Sequence, residues 1–131
     1  MNSNVAVNVF LYDPKTQSVL LQLRDNNPNI ANPNVWCFPG GGGEPEDDSV
    51  EAAAKRELFE ETGYKVLDLQ LVGTDTEYDK ERYFFFAEYD GVQKIEGHEG
   101  QKMEFISLDA LPENIWEGHI EWIEKITQSI H

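Results

Sequence analysis

Residues 38–64 read FPGGGGEPEDDSVEAAAKRELFEETGY: a glycine run, an acidic turn and a segment rich in Ala, Glu, Lys, Arg and Leu. The last segment consists of good helix formers from Ser49 to Thr62. Asp48 or Ser49 can cap the N-terminus, and Gly63 is placed to end the helix. The stretch therefore predicts a glycine-rich connection that leads directly into an α-helix.

The predicted helix carries three glutamates on one face. Because an α-helix turns about 100° per residue, Glu57, Glu60 and Glu61 fall within an arc of about 100°. Leu58 and Phe59 take up much of the remaining circumference, which favours an acidic face turned into a cleft. Carboxylates crowded in a cleft need protonation or a hard divalent cation, and oxygen ligands suit Mg²⁺ or Mn²⁺. A solvated acidic surface is the alternative interpretation.

The four glycines, residues 40–43, separate a short apolar strand from this helix. Glycine permits positive φ and lets a phosphate or a metal ion approach the backbone closely. A flexible connection is the alternative. The run fits neither the Walker A pattern nor the spaced glycines of a dinucleotide-binding turn.

Gly42, Asp48 and the run from Arg56 to Tyr64 together resemble the Nudix box, G-x5-E-x7-R-E-U-x-E-E-x-G-U, in which U is a bulky aliphatic residue. Two positions depart from that pattern, since Asp48 stands in place of Glu and Tyr64 in place of the last aliphatic residue. One extra residue also lies between Pro39 and Asp48, relative to the common form of the box.

The resemblance implies an α/β fold, an α/β/α sandwich around a central mixed sheet, and hydrolysis of a nucleoside diphosphate linked to another group. By similarity, Glu57 and Glu61 would be the main ligands of Mg²⁺ (or Mn²⁺), with Glu60 in support. A backbone carbonyl near Gly41 would add a ligand, and Arg56 would orient the carboxylates. Such ions neutralise diphosphate charge and lower the pKa of a bound water.

A later loop, residues 97–101, resembles the Glu-Gly-Gln segment of MutT-like Nudix enzymes. Its Glu99 is predicted to be the general base or a further metal ligand, with Arg56, Glu57 and Glu60 as the other catalytic residues. A plain exposed acidic turn is the alternative for Glu99. His98 is expected to face solvent.

Predicted substrate contacts are Arg24, at a strand end before an Asn- and Pro-rich loop, together with Gly40 and Gly41. A surface arginine at position 24 would be equally ordinary. Four aromatic residues could stack on a base, although aromatic residues at strand spacing are more often core; they are Trp36, Phe38, Tyr83 and Phe85.

The rest of the sequence predicts one domain over residues 1–131, with strands before and after the helix. Ile120, Ile123, Ile126 and Ile130 mark a C-terminal helix. This order favours a mixed sheet with helices packed on its faces over a sandwich or a bundle. The predicted strands are a half-buried strand over 5–12, then 19–23, 36–38, 66–76, 82–89 and 103–106.

Charge narrows the classes of partner. Ten Lys and Arg against 25 Asp and Glu give a net charge of −15, which disfavours nucleic acid polymers and anionic membranes. A small nucleotide substrate would need cations to bind. The single cysteine, Cys37, is expected to be a buried apolar group. The first residues show no leader pattern and no apolar run could span a membrane, so a cytoplasmic location is the default expectation, and a homodimer stays open.

Three functions fit these features. The first is a MutT-like pyrophosphohydrolase acting on a nucleoside triphosphate. The second keeps the chemistry but uses a nucleotide sugar or ADP-ribose. The third is a Nudix-fold module that binds a nucleotide and regulates without hydrolysing it.

Overall fold

A computed structural model describes residues 4–98 and 100–130 and shows a seven-stranded mixed sheet with two helices. Among these residues, neither helix has the length and apolar character needed to cross a bilayer. The elements in chain order are β1 (Val5–Asp13), β2 (Ser18–Leu23), β3 (Trp36–Cys37), β4 (Gly40–Gly42), α1 (Val50–Thr62), β5 (Gln70–Glu77), β6 (Lys80–Glu88), β7 (Lys102–Ser107) and α2 (Glu117–Ile130).

The sheet is built around β1, which pairs with β6 in parallel and with β2 and β4 antiparallel. Its pairing with β2 is confined to Tyr12 and Asp13, at one end of the strand. At its other end β1 pairs with β4. The edge of β2 that meets β1 also pairs with β3, and the opposite edge of β2 pairs with β7. The sheet therefore divides between β1 and β2, and β4 lies along β1 beyond the division.

Both faces of β1 are buried, so the prediction of a half-buried strand is wrong. Val7 and Val9 belong to the apolar cluster beneath α1, whereas Phe10 and Tyr12 belong to the cluster beneath α2. The alternation is present, but each set of side chains meets a different helix. One helix on each face of a central mixed sheet confirms the expected α/β/α architecture.

Two further elements differ from expectation. The strand predicted to start at position 66 begins at Gln70. In α2 the buried face includes His119 and Trp122 beside Ile123 and Ile126, while Ile120 is 36% exposed. Gly73 explains part of this geometry, because a Cβ there would lie 2.6 Å from the Trp122 indole. The close approach of β5 to α2 sets which side of the helix is buried.

Candidate active site

The ends of α1 fix how its side chains face the sheet. Ser49 is the N-cap, and its hydroxyl accepts a hydrogen bond from the Ala52 N–H at 3.0 Å. Gly63 ends the helix in the left-handed region (φ 76°), and its N–H donates to the Phe59 carbonyl at 2.8 Å. Leu58 is fully buried against the sheet. The register set by these contacts turns Glu57 and Glu61 towards β4.

The glycine run is a strand rather than a flexible connection. Gly40 and Gly41 pair with Asn8 and Val7 of β1, and their backbone is extended rather than in the positive-φ region. A Cβ on Gly40 would collide with the Val7 carbonyl oxygen, and a Cβ on Gly41 would lie 2.6 Å from the Glu57 carboxylate. These glycines are needed because other groups come close to them, not because the chain turns there.

The three glutamates of the helix have different surroundings. Glu61 is 1% exposed, and its carboxylate accepts a hydrogen bond from the Gly40 N–H at 2.8 Å. The Glu57 side chain is 13% exposed, against 48% for Glu60. Two carboxylates therefore face the inside of the fold beside β4, and the third lies at the rim.

Arg56 joins the helix to the glycine strand. Its Nη1 donates to the carboxylates of Glu57 at 3.0 Å and Glu60 at 3.2 Å. Its Nη2 donates to the Gly42 carbonyl at 3.0 Å, and Nε and Nη2 bind both oxygens of Asp47 at 2.9 and 3.0 Å. Guanidinium geometry suits such paired bonds, so one side chain orients two carboxylates and secures the loop before the helix.

Asp47, not Asp48, pairs with this arginine. The spacing of the box counted back from Arg56 places its first acidic residue at Asp48, which is exposed. The common spacing counted forward from Pro39 places it at Asp47, whose side chain is 6% exposed. Asp48 is thus the extra residue of the box. Hydrogen bonds from Arg56 hold the pKa of the Asp47 carboxyl below its usual value. The spacing from the glycine end would have identified this residue.

The donor set beside β4 suits a hard divalent cation. Glu57, Glu60 and Glu61 offer carboxylate oxygens, and Gly41 adds a backbone carbonyl, as Mg²⁺ and Mn²⁺ prefer. Gly41 leaves room that a Cβ would fill, directly against the Glu57 carboxylate. Within 4–98 and 100–130, no three His, Cys, Asp or Glu side chains already stand as a metal-binding group. The residues fit an ion in chemistry and placement, and their carboxylates would have to turn towards one another to bind it.

Two cavities meet at β4, and the predicted substrate contacts border them. The first, of about 330 Å³, is lined by Arg24, Gly40 and Gly41, and the second, of about 450 Å³, by Arg24, Gly40, Glu61 and His98. The Arg24 Nε donates to the Ala31 carbonyl at 3.0 Å. The structure thus brings Arg24, Gly40 and Gly41 together beside the buried carboxylates.

His119 and Trp116 border the first cavity and were not foreseen from the sequence. Burial, with the nearby Arg82 charge, lowers the pKa of His119 to about 3. The Phe38 N–H donates to the His119 Nδ1 at 3.2 Å, so the ring is neutral with its proton on Nε2. Helical periodicity does not distinguish a core residue from one that lines a cavity, so the sequence pattern did not mark these two positions.

Other expected residues lie as follows. His98 is exposed, with Nδ1 2.8 Å from the Glu60 carbonyl oxygen, while Glu99 lies outside the described residues. Cys37 is buried, which raises the pKa of its thiol to about 12 and keeps it unreactive. The four aromatic residues considered for stacking fall mainly in the core, with Trp36, Phe38 and Phe85 buried and Tyr83 half-buried.

Comparison with known proteins settles the family. The model of the NUDIX domain matches residues 2–126. The chain belongs to the Nudix family. The crystal structure of a MutT NUDIX hydrolase from Burkholderia pseudomallei superposes on this Nudix domain with a TM-score of 0.80 at 19% identity, covering 93% of this chain and 96% of that one.

Two relatives share more sequence with this Nudix domain. A Bacillus subtilis (strain 168) protein with the provisional name 8-oxo-dGTP diphosphatase is 32% identical over 101 residues, 75% of this chain and 63% of its own. A GDP-mannose pyrophosphatase from Yersinia pestis (strain Pestoides F) is 34% identical over 113 residues, 79% of this chain and 56% of its own. This chain therefore spans less than two thirds of either relative.

Proposed function

We propose that this Nudix domain hydrolyses a nucleoside diphosphate linked to another group, with a nucleoside triphosphate as substrate, by attack of water at phosphorus. The placement of Glu57 and Glu61 supports this most directly. Both carboxylates are turned inward against Gly40 and Gly41, beside two cavities large enough for parts of a nucleotide. The provisional name of the Bacillus subtilis relative agrees with such a substrate.

Glu57, Glu60, Glu61 and the Gly41 carbonyl would hold Mg²⁺ or Mn²⁺. When bound, such ions neutralise diphosphate charge and lower the pKa of the attacking water. Arg56 keeps the carboxylates of Glu57 and Glu60 oriented through its bonds at 3.0 and 3.2 Å. The enclosed position of the inner carboxylates strengthens their interaction with cations, because charges interact more strongly away from bulk water.

Proton transfer and phosphate binding fall to residues outside the helix. We assign Glu99 as the group that accepts the proton of the attacking water. Arg24, at the border of both cavities, binds substrate phosphate oxygens, as guanidinium groups commonly do. The backbone of Gly40 and Gly41 passes close to the reacting phosphate, because neither residue carries a side chain that would block it.

A nucleotide sugar is the second candidate substrate. The observation that favours it is the 34% identity to a GDP-mannose pyrophosphatase. Both substrates contain a diphosphate beside a nucleoside, so the same carboxylates would serve either. The products separate the two: pyrophosphate and a nucleoside monophosphate from a triphosphate, and a sugar phosphate with a nucleoside monophosphate from the other.

The test is a panel of nucleoside triphosphates and nucleotide sugars, assayed for released pyrophosphate and monophosphates with Mg²⁺, with Mn²⁺ and with EDTA. We expect turnover that EDTA abolishes. Replacing Glu57 by Gln should lower kcat by about two orders of magnitude or more, since an inner carboxylate of the site is lost.

Glu51→Gln is the matched control, because Glu51 lies on the same helix but is exposed and pairs only loosely with Lys55 at 3.6 Å. It should keep the turnover of the unmodified protein. No hydrolysis of any compound with either metal would refute the enzyme and favour a nucleotide-binding module without catalysis.

A further inference from the structure

The first cavity is bordered by an asparagine amide that has no hydrogen-bond partner in the described chain. Asn8 lies on β1, on the same face as Phe10 and Tyr12, and is only 8% exposed. Its side chain borders the cavity, and in the part of the chain that the structure describes no group hydrogen-bonds to it. The amide opens onto the cavity rather than being sealed in the core, so its donor and its acceptor are both available to a ligand there.

The same cavity has a wall of stacked planar groups. The Phe38 and His119 rings stack at 4.9 Å, and His119 stacks on Trp116 at 5.1 Å with an interplanar angle of 6°. The Arg24 guanidinium lies 5.2 Å from the centre of the Trp116 ring. Aromatic rings are surfaces on which proteins stack nucleobases. Tyr78, 80% exposed in the turn between β5 and β6, also borders the cavity.

We propose that Asn8 is a specificity-determining residue that pairs through its amide with the edge of a nucleobase held in this cavity. The proposal rests on the proposed function, because it assumes a nucleotide whose phosphates lie by Glu57 and Glu61. Gly40 borders both cavities, so one molecule can reach from the amide to the carboxylates past this residue.

The chemistry of the amide makes the proposal specific. An asparagine amide presents one donor and one acceptor side by side. Adenine and cytosine place an amino donor where guanine and thymine place a carbonyl acceptor, and the reverse at the neighbouring ring nitrogen, so an amide held in one orientation distinguishes these two pairs of bases. An aspartate at the same position presents acceptors alone. Guanine offers two neighbouring donors, its ring N1–H and its exocyclic amino group, whereas adenine, cytosine and thymine do not. Asn8→Asp should therefore move the preference towards guanine, while Asn8→Leu should remove the discrimination.

The experiment measures kcat/KM for dATP, dCTP, dGTP and dTTP with the unmodified protein, Asn8→Leu and Asn8→Asp. Asn8→Leu should lower kcat/KM for the preferred base by about 5- to 150-fold and bring the four values together. Asn8→Asp should raise the value for dGTP relative to the other three. Ratios between bases within one variant do not depend on how much of that variant is folded.

Gln22→Leu is the matched comparison. Gln22 is also 8% exposed and has no hydrogen-bond partner for its amide among the described residues, but it borders both cavities, whereas of the two Asn8 borders the first. Its loss should change kcat/KM for all four nucleotides by one common factor. If Asn8→Leu and Asn8→Asp also scale all four values equally, or if the unmodified protein shows no base preference, the proposal is overturned.

Binding of nucleosides separates this proposal from the proposed function. Adenosine, cytidine, guanosine and thymidine carry no phosphate, and quenching of tryptophan fluorescence reports their binding, with Trp116→Phe as the reference. If no nucleotide is hydrolysed but Asn8→Asp shifts nucleoside binding towards guanosine, hydrolysis is refuted and the role of Asn8 stands. Nucleoside binding that is unchanged in the Asn8 variants would overturn that role, whatever the hydrolysis assays show.

Discussion

Gly41 illustrates how much of the candidate site depends on a single missing side chain. A Cβ on residue 41 would lie 2.6 Å from the nearest atom of the Glu57 carboxylate, too close for both to keep their places. That atom belongs to the end of a flexible side chain, which can move. A side chain at position 41 would therefore displace the carboxylate rather than disrupt the sheet.

Gly41→Ala should lower kcat by about 100-fold, because displacing a reacting group by about 1 Å has effects of that size. The free energy of unfolding, measured by urea denaturation, should change by less than about 1 kcal/mol. Gly42→Ala is the control, since the nearest atom to a Cβ there is the Val5 carbonyl oxygen at 3.9 Å. Equal kcat values for the two variants would contradict the assigned position of Glu57.

The comparison of sequence and structure is also clearest at single residues. Helical periodicity correctly indicated that Glu57 and Glu61 share a face, because the direction of each side chain follows from the regular repeat of the helix. It could not indicate that Asp47 replaces Asp48 as the partner of Arg56, since that depends on how the loop accommodates one extra residue. The sequence also could not predict that the amide of Asn8 borders a cavity, because this depends on how the strands around β1 separate. The catalytic, substrate and metal assignments stay predictions.

Among the elements, α2 carries the feature that periodicity missed. Its isoleucine spacing predicted a helix with an apolar face, and the helix is there. The close approach of Gly73 to the Trp122 indole and the bond from the Phe38 N–H to His119 rotate the buried face towards residues 119 and 122. Strands were predicted from alternation, but the burial of β1 on both faces required knowing that each helix covers a different side.

The depressed pKa of His119, about 3, predicts how stability depends on pH. Between about pH 6.5 and pH 3 the unfolded chain binds a proton on this residue and the folded chain does not, so acid favours unfolding. Lowering the pH from 7.5 to 5 should therefore cost about 2 kcal/mol of unfolding free energy through His119 alone.

His119→Asn should reduce that pH dependence, because an asparagine oxygen can still accept the bond from the Phe38 N–H but does not titrate. Urea denaturation at several pH values between 5 and 7.5 measures both slopes. Identical slopes for the two proteins would show that His119 titrates alike in the folded and unfolded states, so that burial does not lower its pKa.

At the scale of the whole molecule, the net charge of −15 acts against compactness. Salt screens the repulsion between exposed carboxylates, with a Debye length of about 10 Å at 0.1 M. Raising sodium chloride from 10 to 200 mM, with EDTA present to exclude divalent ions, should raise the Tm by about 4 °C, as a gain of about 1 kcal/mol implies. Potassium chloride should act equally, and an unchanged or lower Tm would mean that the charges are already balanced by internal pairing.

The parallel pairing of β1 with β6 joins Val5 to Glu81, 76 positions apart along the chain. Local hairpins can form early, but a contact over such a distance must wait for the intervening chain to be ordered. A nascent polypeptide that ends before β6 would thus contain every carboxylate of the box. It would still lack β6, the strand that pairs with β1, and β1 in turn pairs with the glycine strand β4 beside those carboxylates. Catalytic competence should appear late in folding, once β6 has paired with β1.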